Sequence, residues 1–396
     1  NKDNVFLDVS AAVYENLRES NNAKYEFVAP NILFGKSFFT QNFGTIDFKT
    51  NALYKNYSVN KHLSTITNDV VWNSESYVSP KGFVNALIGT FKNINYEAKN
   101  TSDFKTKGTI NELSGSLNYK TSLPMKKEGI NFSNIISPNF MIRFAPGHMR
   151  NLSNDDLKLN YANLFSNNKT SEIEDGISAV LGFDFTKNEK FEDGSEKERF
   201  SLSLGQVFSP TENKDLPSQS SLDQKSSDLV GEMKYNFSEV GSIDYKFSID
   251  HNLNELNYNE VSTTLNFNNI TFNLDYLEEQ NHIGDEHYVN AGVSLNFNKN
   301  NSLNFETRKN FKTESTELYD LSYQYGIDCL TAGVAYRREF YQDVDDLQPT
   351  KNTFMFTLTF IPFATVKTRS GCRTSINLQS LTLAASATAG ISTSRL

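Results

Sequence analysis

The chain has 396 residues, is 38% hydrophobic and 13% aromatic, and carries a net charge of −9. The acidic balance, with no basic stripe, argues against a nucleic-acid partner, and no segment approaches the roughly 18 to 20 apolar residues of a spanning helix; pieces such as Ala86-Leu87-Ile88 are far too short. Abundant aromatics (31 Phe, 18 Tyr) in a chain of low mean hydropathy suit a sheet that is apolar only at alternate positions.

From the N-terminus, Asn1-Lys2-Asp3 leads straight into Val5-Phe6-Leu7, which reads as mid-domain, so a piece of a longer chain is expected. Strands are expected over roughly 4–16, 23–38, 43–57, 61–79, 82–98, 110–123, 131–146, 177–187, 199–209 and 228–238. Two connections in this half are long, Gly147 to Gly176 and Pro210 to Ser227, and the polar link Lys187 to Arg199 is longer than a tight turn should be. Beyond residue 240 the alternation sharpens. Ile243, Tyr245, Phe247 and Ile249 alternate with Asp244, Lys246, Ser248 and Asp250; Ile270, Phe272, Leu274 and Tyr276 with Thr271, Asn273 and Asp275; and Val289, Ala291, Val293, Leu295 and Phe297 with Asn290, Gly292, Ser294 and Asn296. In the last clear strand Phe354, Phe356, Leu358 and Phe360 alternate with Thr353, Met355, Thr357 and Thr359. Period two gives each strand one apolar and one polar face.

Short turns fall near Ser238-Glu239, Asn268-Asn269, Lys299-Asn300 and Asp328-Cys329, and longer polar links run from His251 to Leu256, Glu279 to Glu286, Lys309 to Glu314 and Tyr341 to Lys351. Regular alternation of short and long links has no purpose in a β-sandwich but is the pattern of a transmembrane barrel, whose short turns face the periplasm. The expected fold is therefore all-β: an antiparallel transmembrane β-barrel with about eighteen strands in this chain. Residues 1–363 are expected to form the outer-membrane barrel portion. Residues 364–396 contain no aromatic residue and no Asp or Glu; without their four positive charges the net charge falls from −9 to −13. This segment reads as a disordered extension or non-native sequence, with a genuine periplasmic tail as the alternative, and is left out of the fold.

Signs of catalysis are sparse. Of the histidines His62, His148, His251, His282 and His287, only His282 and His287 cluster with acids, Asp285 and Glu286, and a solvated loop tip explains that group as well as a metal does. Asp155 and Asp156 lie near His148 without a nucleophile signature. No cofactor loop is present; Gly182, Gly231, Gly292 and Gly333 sit within strands, where a bend or close packing is the plain explanation. Lys234, Lys246, Arg308 and Arg337 alternate with apolar neighbours and should face the lumen, because charge on the lipid face costs about 2 to 4 kcal/mol at mid-membrane. Cys329 sits at a short turn, either as a lone buried thiol or paired with an oxidising partner domain; Cys372, in the atypical tail, is a poor partner for it.

Two segments carry a family resemblance. One contains Ser137-Pro138-Asn139, Arg143-Phe144-Ala145-Pro146, Asn154-Asp155-Asp156, Asn163-Leu164-Phe165 and Ile173-Glu174-Asp175-Gly176. The other contains Leu321-Ser322-Tyr323-Gln324-Tyr325, Asp328-Cys329-Leu330, Tyr336-Arg337-Arg338-Glu339-Phe340-Tyr341 and the strand Phe354 to Phe360. Up to about residue 363 the chain resembles the lipopolysaccharide-assembly outer-membrane proteins of the LptD type, most closely their alphaproteobacterial members. The resemblance implies no enzyme activity but a translocon, in which lipopolysaccharide arrives along a periplasmic jellyroll and leaves through the lumen and a lateral gate between the first and last strands. It implies a plug lipoprotein of the LptE type, periplasmic bridge proteins and outer-membrane lipid as partners. It makes Thr353, Phe354, Met355, Phe356, Thr357, Leu358, Thr359 and Phe360 one wall of that gate, and Cys329 a disulfide candidate. Leu330 stands where many relatives have a second cysteine, so at most one bridge is expected there. The family barrel has more strands than are found here, so the jellyroll, the gate's first strand and the partner cysteine are expected to lie outside this sequence. A passive porin-like channel is the alternative function.

Overall fold

The computed structural model describes residues 5–15, 25–58, 60–101, 104, 108–147, 149–170, 172–237, 240–327, 330–339, 351–360 and 382–387. His148, Cys329, Cys372, the turn at Ser238-Glu239 and the link after Tyr341 fall outside them. The strands are β1 (Val5–Glu15), β2 (Tyr25–Thr40), β3 (Gly44–Ser58), β4 (Lys61–Asn73), β5 (Tyr77–Val78), β6 (Val84–Lys99), β7 (Thr109–Ser122), β8 (Met125–Glu128), β9 (Phe132–Ala145), β10 (Gly176–Lys190), β11 (Glu196–Phe208), β12 (Leu229–Asn236), β13 (Gly241–Ile249), β14 (Leu256–Phe267), β15 (Ile270–Glu279), β16 (His287–Asn298), β17 (Asn301–Asn310), β18 (Ser315–Ile327), β19 (Leu330–Glu339), β20 (Lys351–Phe360) and β21 (Thr382–Ala387). One short helix, α1 (Tyr161–Leu164), and a 3-10 turn at Ser218–Ser220 interrupt the two long connections. Setting aside the short β5, β8 and β21, eighteen strands remain among the described residues, each close to or above the roughly 9 to 11 residues that cross a bilayer.

The chain divides into two compact units. In the first, composed of residues 1–197, 202–231 and 248–255, antiparallel pairing runs β1 to β2, β3, β4, β6, β7, β9 and β10. The link expected over Lys187 to Arg199 is shorter in fact. Lys187 to Lys190 continue β10, and the turn closes over 191–195 by the Phe191 N–H bonding to Ser195 O at 3.0 Å. Charged residues at both faces hide a strand from an alternation test, because that test asks for apolar neighbours and a strand end beyond the bilayer needs none.

In the second unit, composed of residues 198–201, 232–247 and 256–396, β14 to β20 pair consecutively and antiparallel. Register makes the alternation collective. One row runs Phe267, Ile270, Leu295, Leu303, Tyr323, Val334, Phe356 across seven strands. A row on the other face runs Asn273, Gly292, Glu306, Asp320, Arg337, Thr353. A one-residue slip would exchange the two faces, so hydrophobicity itself specifies the pairing. Tight turns fix the same register: Asn268, between β14 and β15, takes φ 50°, which asparagine tolerates better than most residues. Between β16 and β17 the Asn298 side chain accepts the Asn300 N–H at 2.9 Å.

Six residues of the segment set aside as a tail depart from that expectation: β21 pairs antiparallel with β20, Phe354 opposite Ala387 and Thr359 opposite Thr382. Adding a strand to an open edge uses backbone groups alone, so a sequence of small residues such as Thr382 to Ala387 needs no apolar pattern to do it.

Candidate functional site

In the first unit the long connection 146–175 turns back onto the polar face of the strands. Asn167 anchors it: its Oδ1 accepts from Ser116 Oγ at 2.9 Å and Asn118 Nδ2 at 2.5 Å, its Nδ2 bonds to Thr90 Oγ1, and its backbone carbonyl accepts from Arg143 Nε at 2.7 Å. Lys92 reaches Glu172 of the loop at 2.8 Å. Earlier in the same connection, α1 is closed by a reciprocal cap between Asn160 and Asn163 and presents Tyr161, Leu164 and Phe165 to the sheet. Tyr161 Oη, Ser203 Oγ and Asn139 Nδ2 all donate to the Asp184 carboxylate, at 2.5, 2.7 and 2.5 Å. Burial and the Asp184 carboxylate raise the Tyr161 pKa, which keeps the phenol a donor.

Apolar packing completes the seat. Met141, Met149, Leu159, Leu164, Val180, Val207, Leu216, Leu222 and Val230 form one buried cluster, drawn from β9 to β12 and from both long connections. Two strand glycines make room for it: a Cβ on Gly182 would lie 2.6 Å from the Phe165 ring, and one on Gly205 2.4 Å from Leu164. Close packing is thus the reason for Gly182, and the packed partner is a loop. Met141, Val180, Val207 and Val230 are not among the residues singled out from the sequence, although each carries a signal: it is an apolar residue at a position where alternation calls for a polar one.

In the second unit the equivalent face is open and charged. Arg337 binds Asp320 through Nε and Nη2, both at 2.6 Å, and faces a concavity of about 320 Å³ lined also by Glu306, Thr353, Met355 and Thr357. Arg308 lies 3.0 Å from Glu317 and covers the Tyr288 ring at 3.8 Å. Lys246 is 3.1 Å from Glu260, and Lys234 is 3.7 Å from Asp244. All four basic residues singled out from the sequence therefore have acidic neighbours, and because these side chains are partly exposed each pair contributes little to stability. On β20, Phe354, Phe356 and Leu358 are exposed on the apolar face. The acidic and histidine group at 282–287 disperses: Asp285 pairs with Lys312, and His287 meets Tyr276 Oη at 3.1 Å.

Antiparallel strands of crossing length, apolar on one face and polar on the other, joined by alternating short and long links, define an outer-membrane β-barrel protein. The family model for LptD, described as LPS transport system D, matches residues 8–300. The chain belongs to this family, a lipopolysaccharide-transport barrel of the bacterial outer membrane and not a family of enzymes. No curated protein matches it. Among solved structures, the siderophore receptor PirA from Acinetobacter baumannii is similar at 6% identity and a TM-score of 0.42, over 85% of this chain and 65% of the receptor. A mutant of the Rh. blastica porin is similar at 10% identity and a TM-score of 0.28, over 74% of this chain and 94% of the porin. This chain thus spans under two thirds of the receptor's length.

Proposed function

We propose that this chain is the barrel portion, over residues 1–363, of a translocon that inserts lipopolysaccharide into the outer leaflet. The sugar and phosphate part passes along the polar face, and the acyl chains leave through a lateral gate of which β20, Thr353 to Phe360, is one wall. The observation that carries this is the family match over residues 8–300. The two faces of β20 support it: threonines and Met355 on the polar side suit a hydrated headgroup, and Phe354, Phe356 and Leu358 suit acyl chains. Lys234, Lys246, Arg308 and Arg337 then face the lumen. No covalent step is required, and the driving energy is supplied elsewhere in the machinery through periplasmic bridge proteins. A lipoprotein of the LptE type occupies the lumen, Cys329 is disulfide-bonded to a periplasmic domain, and residues 364–396, apart from the six of β21 that pair with β20, lie outside the barrel domain proper.

One observation favours a passive porin-like channel, since connection 146–175 folds onto the polar face as a constriction loop would. The two readings separate by photocrosslinking. With a photoreactive residue at Thr357 of the native protein in cells, lipopolysaccharide adducts are expected, and fewer adducts when the bridge is depleted. Absence of adducts at Thr357, together with steady ohmic conductance of the purified protein in planar bilayers, would establish the channel instead. A non-reducing gel tests Cys329: a mobility change lost in Cys329→Ser is expected.

A further inference from the structure

Beneath the folded connection lies a cavity of about 290 Å³ whose charges do not balance. Its buried lining holds Arg143, Lys169 and Glu174, which are 1%, 6% and 5% exposed. Asp175 and Glu212 also line it, but both are exposed at its rim. Inside, then, there are two cations and one anion, and the anion is already engaged. Glu174 Oε1 accepts the backbone N–H groups of Lys169 and Thr170, the second at 2.9 Å. Arg143 commits Nε and Nη2 to Asn167 O and Asn168 Oδ1. Lys169 Nζ is buried and has no hydrogen-bond partner among the described residues. A lysine ammonium is a strongly hydrated point charge, and removing it from water without a partner is among the most costly arrangements a protein interior can hold.

We propose that this cavity is a receptor for a tetrahedral oxyanion, a phosphate group, with Lys169 as the point-charge ligand and Arg143 as its neighbouring cation. The single excess positive charge matches one anionic group, and a lysine without other partners is the residue type that binds phosphate as a bare charge. The rim acids weaken but do not cancel this, because exposed charges are screened and buried ones are not. In the empty site, desolvation pushes the Lys169 pKa down, and the adjacent Arg143 pushes it the same way while Glu174 opposes. A bound anion favours the charged ammonium and so raises the Lys169 pKa back toward its ordinary value; by linkage, affinity is fully present below the depressed pKa and is lost as pH rises through it. Following the transport function proposed above, the phosphate is one carried by the passing glycolipid; free phosphate is the other source of the same chemistry.

The test uses the whole protein in detergent micelles. Inorganic phosphate, inorganic sulfate, and lipid A with and without its phosphates are each titrated calorimetrically. We expect Lys169→Gln to weaken phosphate binding at least tenfold, and Lys169→Arg to restore it to within about threefold, each variant keeping the heat-modifiable gel mobility of a folded barrel. Sulfate, which does not titrate near neutrality, should bind more weakly as pH rises in the native protein and show no such trend in Lys169→Arg. Preference for phosphorylated lipid A supports the site and assigns it to the glycolipid; binding of phosphate with no such preference supports the site and assigns it to the free ion. Equal binding by native and Lys169→Gln proteins, or no binding by either, overturns the proposal. Export is scored separately: anion binding without lipopolysaccharide delivery by the native protein would sink the transport function and leave the site standing.

Discussion

Two stretches of polar sheet face meet the same requirement differently. Across β14 to β20 the face is balanced by pairs within the sheet itself, Arg337 with Asp320 and Arg308 with Glu317, and it stays open. Across β6 to β12 it is covered by chain: Asn167, Leu164 and Phe165 of one connection and Leu216 and Leu222 of the other. The difference teaches that a barrel strand has two distinct ways of being polar inward. Where the residues of the polar face are charged, they pair with one another and the face stays open; where apolar residues replace them, the connection becomes the partner, and a surface loop acquires a core of its own.

The comparison breaks most readily at Leu164, which is fully buried in the covered region. Leu164→Ala should cost about 2 to 5 kcal/mol of the loop's attachment. Limited proteolysis of intact cells should then cut within 146–175, and uptake of large antibiotics should rise. If the loop stays protected, the buried cluster does not hold it. Next in size is the apolar face of the open region. Leu321→Arg, in the row that includes Phe305 and Phe354, should destabilise the barrel by about 2 to 4 kcal/mol by urea unfolding in lipid. Adjacent Ser322→Arg, on the polar face, should leave the midpoint almost unchanged; equal effects would show that the faces are misassigned. The smallest effect belongs to the ion pairs. Asp320→Asn should change stability by about 1 kcal/mol or less, since the Arg337 side chain is half-exposed, while altering ion selectivity in planar bilayers. A large loss of stability there would mean that the open face is drier than its exposure indicates.

Much of the architecture is legible in the sequence. Strands from β13 onward show period two because Phe, Tyr, Leu, Ile and Val recur at most of the second positions of one face, with few lapses such as Thr263 and Thr307. The pattern fades where that pressure stops. Lys187 to Lys190 continue β10 with no apolar face, and Thr382 to Ala387 join β20 through backbone alone. The site was legible only in part. Lys246, Arg308 and Arg337 reveal their face by parity, but Lys169 and Glu174 lie in an irregular connection where no period operates, and nothing in their spacing tells that they are buried together with Arg143.

By itself the sequence determined the class of fold, the number of crossing strands, and which side chains share the apolar face and which the polar one. Each of these follows from nearest-neighbour alternation, a property that one strand displays without reference to any other. Tertiary structure alone decided that the connection 146–175 covers the polar face, that Gly182 and Gly205 receive Phe165 and Leu164, and that Arg143 and Lys169 share a cavity. Those facts depend on contacts between residues far apart along the chain, where shape and the cost of an unpaired buried charge, rather than periodicity, choose the arrangement.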